Sequence, residues 1–329
     1  MGNNITIIGL GEIGSSIAMA LTKTESDFNV IGSDYAKSVE SYAQEQHFVS
    51  EVRHNYFEAV KDADLVILAV PTDQTRAILE LCGHDFKENT VVLDCCPAKH
   101  TADAWAKQYM DHPENFLGIW FGMNPAYFKE FSSGAKTGHP DLFKGASLFI
   151  AADTDTSEKA IETAANLAGM LGMEASFTDA LELDGMIAAA YQLPAMAANA
   201  MLGSLNKRTG WKDGKKAPGK TFYRSVSMIS EKTDQEQTGA MYLNNRENTI
   251  RVLNEYINVL TGYRDALKAK DEASLRTMLE DNRNALTQWE KDYRKSNASE
   301  GGPEPIRMSA ADAVSQTFFG GFLRKKMKN

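Results

Sequence analysis

Cysteine is scarce in this chain: three residues in 329, Cys82, Cys95 and Cys96, two of them adjacent. An odd count with neighbours that rarely bridge each other excludes a disulfide framework and points to a reducing compartment, the cytoplasm. There is no CxxC, and the histidines (His47, His54, His84, His100, His112 and His139) include no i, i+4 pair. No metal site is therefore expected. No apolar run approaches the length of a membrane span. No signal peptide is expected either, because residues 5–10 run from an apolar strand straight into a glycine turn. Positive charge is in deficit, with 35 Lys+Arg against 44 Asp+Glu and a net charge of -9. Little counterion release is available to such a chain, which excludes nucleic acid as a partner. The basic cluster of Arg324, Lys325, Lys326 and Lys328 reads as a solvated tail.

What is present is an ordinary globular composition, 43% hydrophobic and 24% charged, long enough for two domains. Short apolar runs at residues 5–9, 29–33, 64–70, 90–95 and 146–151 read as strands. Helical spacing separates them, as at 13–21 and 157–171. Alternation of this kind predicts βαβ units and a Rossmann-type doubly wound parallel sheet over residues 1–178. From residue 179 to 329 the pattern is all-helical. Helices are expected at 180–205 (kinked at Pro194), 244–269, 272–295 and 309–319, with loops at 209–220 and 297–305. The 180–205 helix is apolar on most faces, and burying it against a symmetry mate predicts a homodimer.

Gly9-Leu10-Gly11-Glu12-Ile13-Gly14 follows the first strand and opens the first helix. In this G-x-G-x-x-G, Gly9 allows a tight turn and Gly11 lets backbone approach a pyrophosphate. Gly14 lets helix and strand pack closely, and the helix N-terminus favours the phosphates. Ser33 and Asp34 end the second strand, with Asp34 twenty residues beyond Gly14. An acid there binds the ribose 2′-hydroxyl and repels a 2′-phosphate, so NAD is expected and NADP is the alternative. Asp34 also reads as a surface turn carboxylate whose loss costs little stability. Val70, Pro71, Thr72 and Thr75 exit a central strand on the sheet's carboxyl edge, where the cofactor's ribose and nicotinamide would lie.

The chain resembles the prephenate/arogenate dehydrogenase family. The resemblance rests on IIGLGEIGSSIAMAL (7–21), VIGSD (30–34), ADLVILAVPTDQT (63–75), VVLDCCPAK (91–99), DLFKGASLFIA (141–151), LELDGMIAAAYQLPAMAANAM (181–201) and NNRENTI (244–250). It implies a Rossmann domain followed by a helical dimerisation domain. The implied activity is NAD(P)-dependent oxidative decarboxylation of a small cyclohexadienyl carboxylic acid, the tyrosine-biosynthesis reaction. The family's catalytic histidine, in a GGHPMAG-like segment, falls on Trp120. The serine of its Asp-x-x-Ser-x-Lys turn falls on Pro97, and a second histidine on Gln192. A substrate-binding arginine falls on Met228, four residues after Arg224.

The site expected from the resemblance is therefore divergent. His139, in Gly138-His139-Pro140, is a candidate relocated base, against the plainer reading of a surface-loop histidine. Lys99 is a candidate to bind a carboxylate or donate a proton, against a solvated lysine at a helix start. Asn124, Tyr191, Gln192 and Arg224 are candidate substrate ligands. Two further readings stand beside the leading one: a dinucleotide-binding regulatory protein that has lost catalysis, and a dehydrogenase for a different small carboxylic acid.

Overall fold

In the computed structural model, residues 4–24, 28–128, 134–227, 229 and 235–296 are described. The expected loop at 297–305, the helix at 309–319, the basic cluster and Met228 lie outside them. Two compact units are present, one built on Met1–Leu183 and the other on Asp184–Lys295.

The first unit is an eight-stranded sheet. Its strands are β1 Asn4–Ile8, β2 Asn29–Ser33, β3 Glu51–Val52, β4 Leu65–Leu68, β5 Val91–Asp94, β6 Phe116–Phe121, β7 Ser147–Ala151 and β8 Glu174–Thr178. They lie in the order β3-β2-β1-β4-β5-β6-β7-β8. Pairing is parallel from β3 to β6, with β1 Ile7 opposite β2 Gly32 and β4 Ile67. It departs from the expected all-parallel sheet at one step, since β7 runs antiparallel to β6 with Trp120 opposite Phe149.

The helices of this unit are α1 Glu12–Thr22, α2 Lys37–Glu45, α3 Tyr56–Val60, α4 Thr72–Cys82, α5 Lys99–Tyr109 and α6 Glu158–Met170. They cover both faces, and the period-2 alternation of strand side chains explains why both faces are apolar. Ile5, Ile7, Leu65, Ile67, Val91 and Leu93 pack with Ile17 and Leu21 of α1, Ala43 of α2 and Leu167 of α6. Their strand neighbours Ile8, Val66, Leu68 and Val92 pack on the other face with Val60, Ile78, Leu79, Ala102 and Ala106. Each such Ile or Leu contributes about 1.5–3 kcal/mol by leaving water. The carboxyl edge of the central strands is thereby held rigid, and the loops leaving it form the candidate site.

The second unit is helical: the latter part of α7 Ala180–Ile187, then α8 Leu193–Asn206, α9 Trp211–Gly214, α10 Lys220–Val226, α11 Gln235–Asn244, α12 Arg246–Ala269 and α13 Glu272–Ser296. One short helix, α9, lies inside the expected 209–220 loop, and a second, α10, begins at its last residue. The expected 180–205 helix is interrupted by one π-helical turn, Ala188–Gln192, which ends two residues before Pro194. Proline has no N–H and its ring crowds the carbonyl one turn back, so the chain widens ahead of it. Among the described residues no helix is long and apolar enough to cross a membrane.

Candidate active site

The glycine turn has the geometry its sequence requires. Gly9 sits at φ +90, and a Cβ there would lie 2.3 Å from the Ala69 carbonyl oxygen. A Cβ on Gly14 would lie 1.9 Å from the Gly9 carbonyl oxygen. Around Gly11 nothing lies within 4 Å of such an atom, so this stretch of backbone is open. Gly11 precedes α1 without a side-chain cap, which leaves the first N–H groups of the helix for an anionic ligand. Two buried hydroxyls on the same edge, Ser33 Oγ and Thr72 Oγ1, lack partners among the described residues. An open anion cradle with unfilled donors beside it fits a dinucleotide.

Asp34 is not a surface carboxylate. It is 7% exposed. Its Oδ2 accepts the Leu10 N–H at 2.8 Å and its Oδ1 the Ala36 N–H at 2.9 Å. The acid expected to read the ribose therefore also pins the glycine turn to the end of β2. Leu10 contributes backbone alone to this edge, because its side chain is buried in the core.

The β4–α4 turn carries Val70 and Pro71 into Thr72, the first residue of α4. Thr75, one turn on, is fully buried, and its hydroxyl donates to Asp94 Oδ1 at 2.9 Å. It braces the β5 end instead of lining the open edge. Lys99 also differs from its expected place. It is 1% exposed, and Nζ donates to the Asp94 carbonyl oxygen at 2.8 Å and lies 3.5 Å from Asp94 Oδ2. The Trp120 ring centroid stands 5.8 Å from the same ammonium. A lysine turned inward on a buried aspartate is a brace for the β5–α5 turn, not a solvated donor. Burial pushes the neighbouring Cys95 thiol up to about 12 and that of Cys96 up as well.

Beyond β6 the chain folds back over α1. The His139 N–H donates to Ser16 Oγ at 3.0 Å, and a Cβ on Gly138 would lie 2.8 Å from Ser15 Cβ. His139 is thus seated on the helix that the glycine turn opens. The Tyr127 hydroxyl is hydrogen-bonded to His139 Nδ1, which also accepts the Asp141 N–H at 3.1 Å. With Nδ1 an acceptor, the neutral ring carries its proton on Nε2. Asn124 caps the short turn Pro125–Tyr127 and donates from Nδ2 to the Asp141 carbonyl at 3.3 Å. Asn124, Tyr127 and His139 therefore form one half-buried cluster.

Comparison with known proteins gives one answer. The family profile that matches is "Prephenate dehydrogenase, nucleotide-binding domain", over residues 17–176. Prephenate dehydrogenase of Bacillus subtilis is 26% identical over 205 residues, 61% of this chain and 53% of that protein. The match thus spans about half the relative's length. The cyclohexadienyl dehydrogenase of Zymomonas mobilis is 24% identical over 272 residues, 82% of this chain and 89% of that one. Over these stretches the chain is similar to prephenate and cyclohexadienyl dehydrogenases. In fold it is similar to the prephenate dehydrogenase of Aquifex aeolicus solved with hydroxyphenyl propionate and NAD+. The TM-score is 0.75 at 19% identity, over 87% of this chain and 98% of that one.

Measured against the dehydrogenase motif, Trp120 lies inside β6. Two X-Pro steps follow it, Asn124-Pro125 and His139-Pro140, and the fold brings them together through Asp141. Tyr127 escapes sequence reasoning because nothing in its neighbourhood along the chain marks it. In the second unit, Tyr191 and Gln192 sit on the π-turn. Gln192 is fully buried, and its Oε1 accepts from Thr249 Oγ1 at 2.7 Å and Asn245 Nδ2 at 3.2 Å. Its amide is occupied in holding helices together. Tyr191 is 44% exposed, and Arg224 lies exposed on α10.

Proposed function

We propose that this chain is a nicotinamide-dinucleotide-dependent dehydrogenase for a small cyclohexadienyl carboxylic acid of the prephenate or arogenate kind, with NAD preferred. The observation that carries the reading is the glycine turn, open at Gly11 and clamped at Gly9 and Gly14, with Asp34 fixed beside it. The N–H groups of α1 would hold the pyrophosphate and Asp34 the ribose. When bound, the dinucleotide supplies the hydride acceptor.

This chain's own residues must then take the proton of the ring hydroxyl. His139 cannot take it at Nε2 while Nδ1 is an acceptor. Tyr127 resolves this, because its oxygen can receive the substrate proton as its own passes to His139 Nδ1. Asn124 supplies a neutral donor in the same cluster, with Tyr191 and Arg224 as further candidate ligands. Lys99 braces the turn beneath. The assembly is a homodimer, supported by half-exposed apolar side chains along α12 and α13: Ile257, Val259, Leu260, Leu279, Leu286 and Trp289. The free cysteines support a reducing, cytoplasmic setting.

Turnover is tested by following reduced nicotinamide with prephenate and arogenate as substrates. His139→Asn and Tyr127→Phe should each lower kcat about a hundredfold, the usual contribution of a proton acceptor, and leave NAD binding unchanged. Full activity in both variants overturns this assignment. A second reading, a dinucleotide-binding regulator, is favoured by Trp120 and Met228 standing where the resemblance expects a histidine and an arginine. Tight NAD binding without turnover on either acid would establish it.

A further inference from the structure

The turn after β2 carries a second buried acid that the cofactor reading leaves unused. Glu40, in the first turn of α2, is 5% exposed. Its Oε1 accepts the backbone N–H of Asp34 at 3.0 Å. His54 Nδ1 lies 3.1 and 3.0 Å from its two oxygens. A chain of contacts therefore runs from His54 through Glu40 and Asp34 to the Leu10 N–H of the glycine turn. A neutral amide would accept the Asp34 N–H equally well, yet the residue here is an acid, which is costly to bury. Its field reaches the surroundings: burial raises the Tyr56 phenol pKa, and the charges of Asp34 and Glu40 raise it further. The cation next in sequence to His54, Arg53, is held by Glu51 at 2.8 Å and by the Glu58 carbonyl at 2.8 Å.

We propose that Glu40, held by His54, is a second determinant of cofactor choice: it orients Asp34 toward the ribose hydroxyls and adds a negative charge against a 2′-phosphate. The proposal rests on the dinucleotide reading above. Glu40 is a positioning and specificity residue and takes no part in the chemistry.

The test is calorimetric titration of the full chain with NAD+ and NADP+, comparing wild type with Glu40→Gln, Glu40→Ala and His54→Ala. Glu40→Gln keeps the acceptor and removes the charge. NAD affinity should stay within about threefold while NADP tightens about tenfold, as expected for one unit charge removed at close range. Glu40→Ala also frees Asp34 and should weaken NAD about tenfold. His54 is half-exposed, so His54→Ala leaves the fold intact. It should weaken NAD a few-fold with NADP still excluded. A purely structural role would move both cofactors together, so an unchanged NAD/NADP ratio in Glu40→Gln overturns the proposal. If Glu40→Ala does not fold, the other two variants decide. Wild type binding neither cofactor defeats the dinucleotide reading and this proposal with it. Wild type preferring NAD with the ratio unmoved in Glu40→Gln defeats this proposal alone.

Discussion

Replacing Asp34 with alanine separates two roles that one carboxylate fills. The Leu10 N–H is buried and its bond to Asp34 is 2.8 Å long, so truncation strands a donor without water. Leaving such a donor unmet costs about 1–3 kcal/mol. The Ala36 N–H, bonded at 2.9 Å, is only part-buried, and water replaces most of what it loses. The sum is about 1–3 kcal/mol, against the few tenths expected of a surface carboxylate. For a unit of this size that lowers Tm by about 2–12 °C. Thermal unfolding of the full chain, followed by circular dichroism, measures it. Asp34→Asn, which keeps one carbonyl acceptor, should fall between alanine and wild type. A fall in Tm of less than about 1 °C in Asp34→Ala would refute the idea that the acid clamps the glycine turn. The same variant should bind NAD more weakly and discriminate less against NADP.

The two glycines at the start of α1 should part company. Gly11→Ala meets no atom within 4 Å and should fold as wild type, yet its methyl group occupies the open cradle and should weaken NAD binding at least about tenfold. Gly14→Ala drives a methyl to 1.9 Å from the Gly9 carbonyl oxygen and should destabilise the unit by about 3 kcal/mol or more. Identical behaviour of the pair would contradict the roles assigned. Burial raises the thiol of Cys82 to about 11 and that of Cys95 to about 12. At pH 8 only about one thiol in a thousand or fewer is then ionised, and iodoacetamide should label the native chain far more slowly than the urea-unfolded one. Equal rates would show the sulfurs to be open. Sedimentation at micromolar concentration should give a dimer, and a clean monomer would refute the pairing of helical units.

Legibility follows the physics of each element. The apolar run at 29–33 matches β2 at its observed bounds, and those for β1, β4, β5 and β7 agree within a residue or two. A buried parallel strand is a continuous apolar run bounded by turn residues, which no nearby helix imitates. α6 is equally plain, with Ser157 capping it through the Ala160 N–H. The two-residue β3 offers too little pattern to find, and β8, Glu-Ala-Ser-Phe-Thr, alternates too weakly to stand out. At the site, the glycine turn is legible because its residues act through local backbone geometry. Glu40, Tyr127 and the inward turn of Lys99 are not, because each is defined by where its side chain turns across a loop, which no spacing along the chain reveals. Thr75 and Gln192 mislead for the same reason: a hydroxyl or amide at a motif position does not reveal that Asp94, or Thr249 and Asn245, have already claimed it.

The π-helical turn at Ala188–Gln192 amounts to one surplus residue spliced into a helical run. Each residue of an α-helix advances the phase by about 100°, so every side chain of α8 is rotated by that angle from where α7 alone would have aimed it. The phase, more than the identity of the intervening alanines, is what delivers Gln192 to Thr249 and Asn245. Removing a single alanine from residues 188–190 would close the surplus and swing α8 through the same angle. Replacing that alanine with another good helix former would leave the phase untouched. This stretch should therefore accept changes of letter far more readily than changes of count.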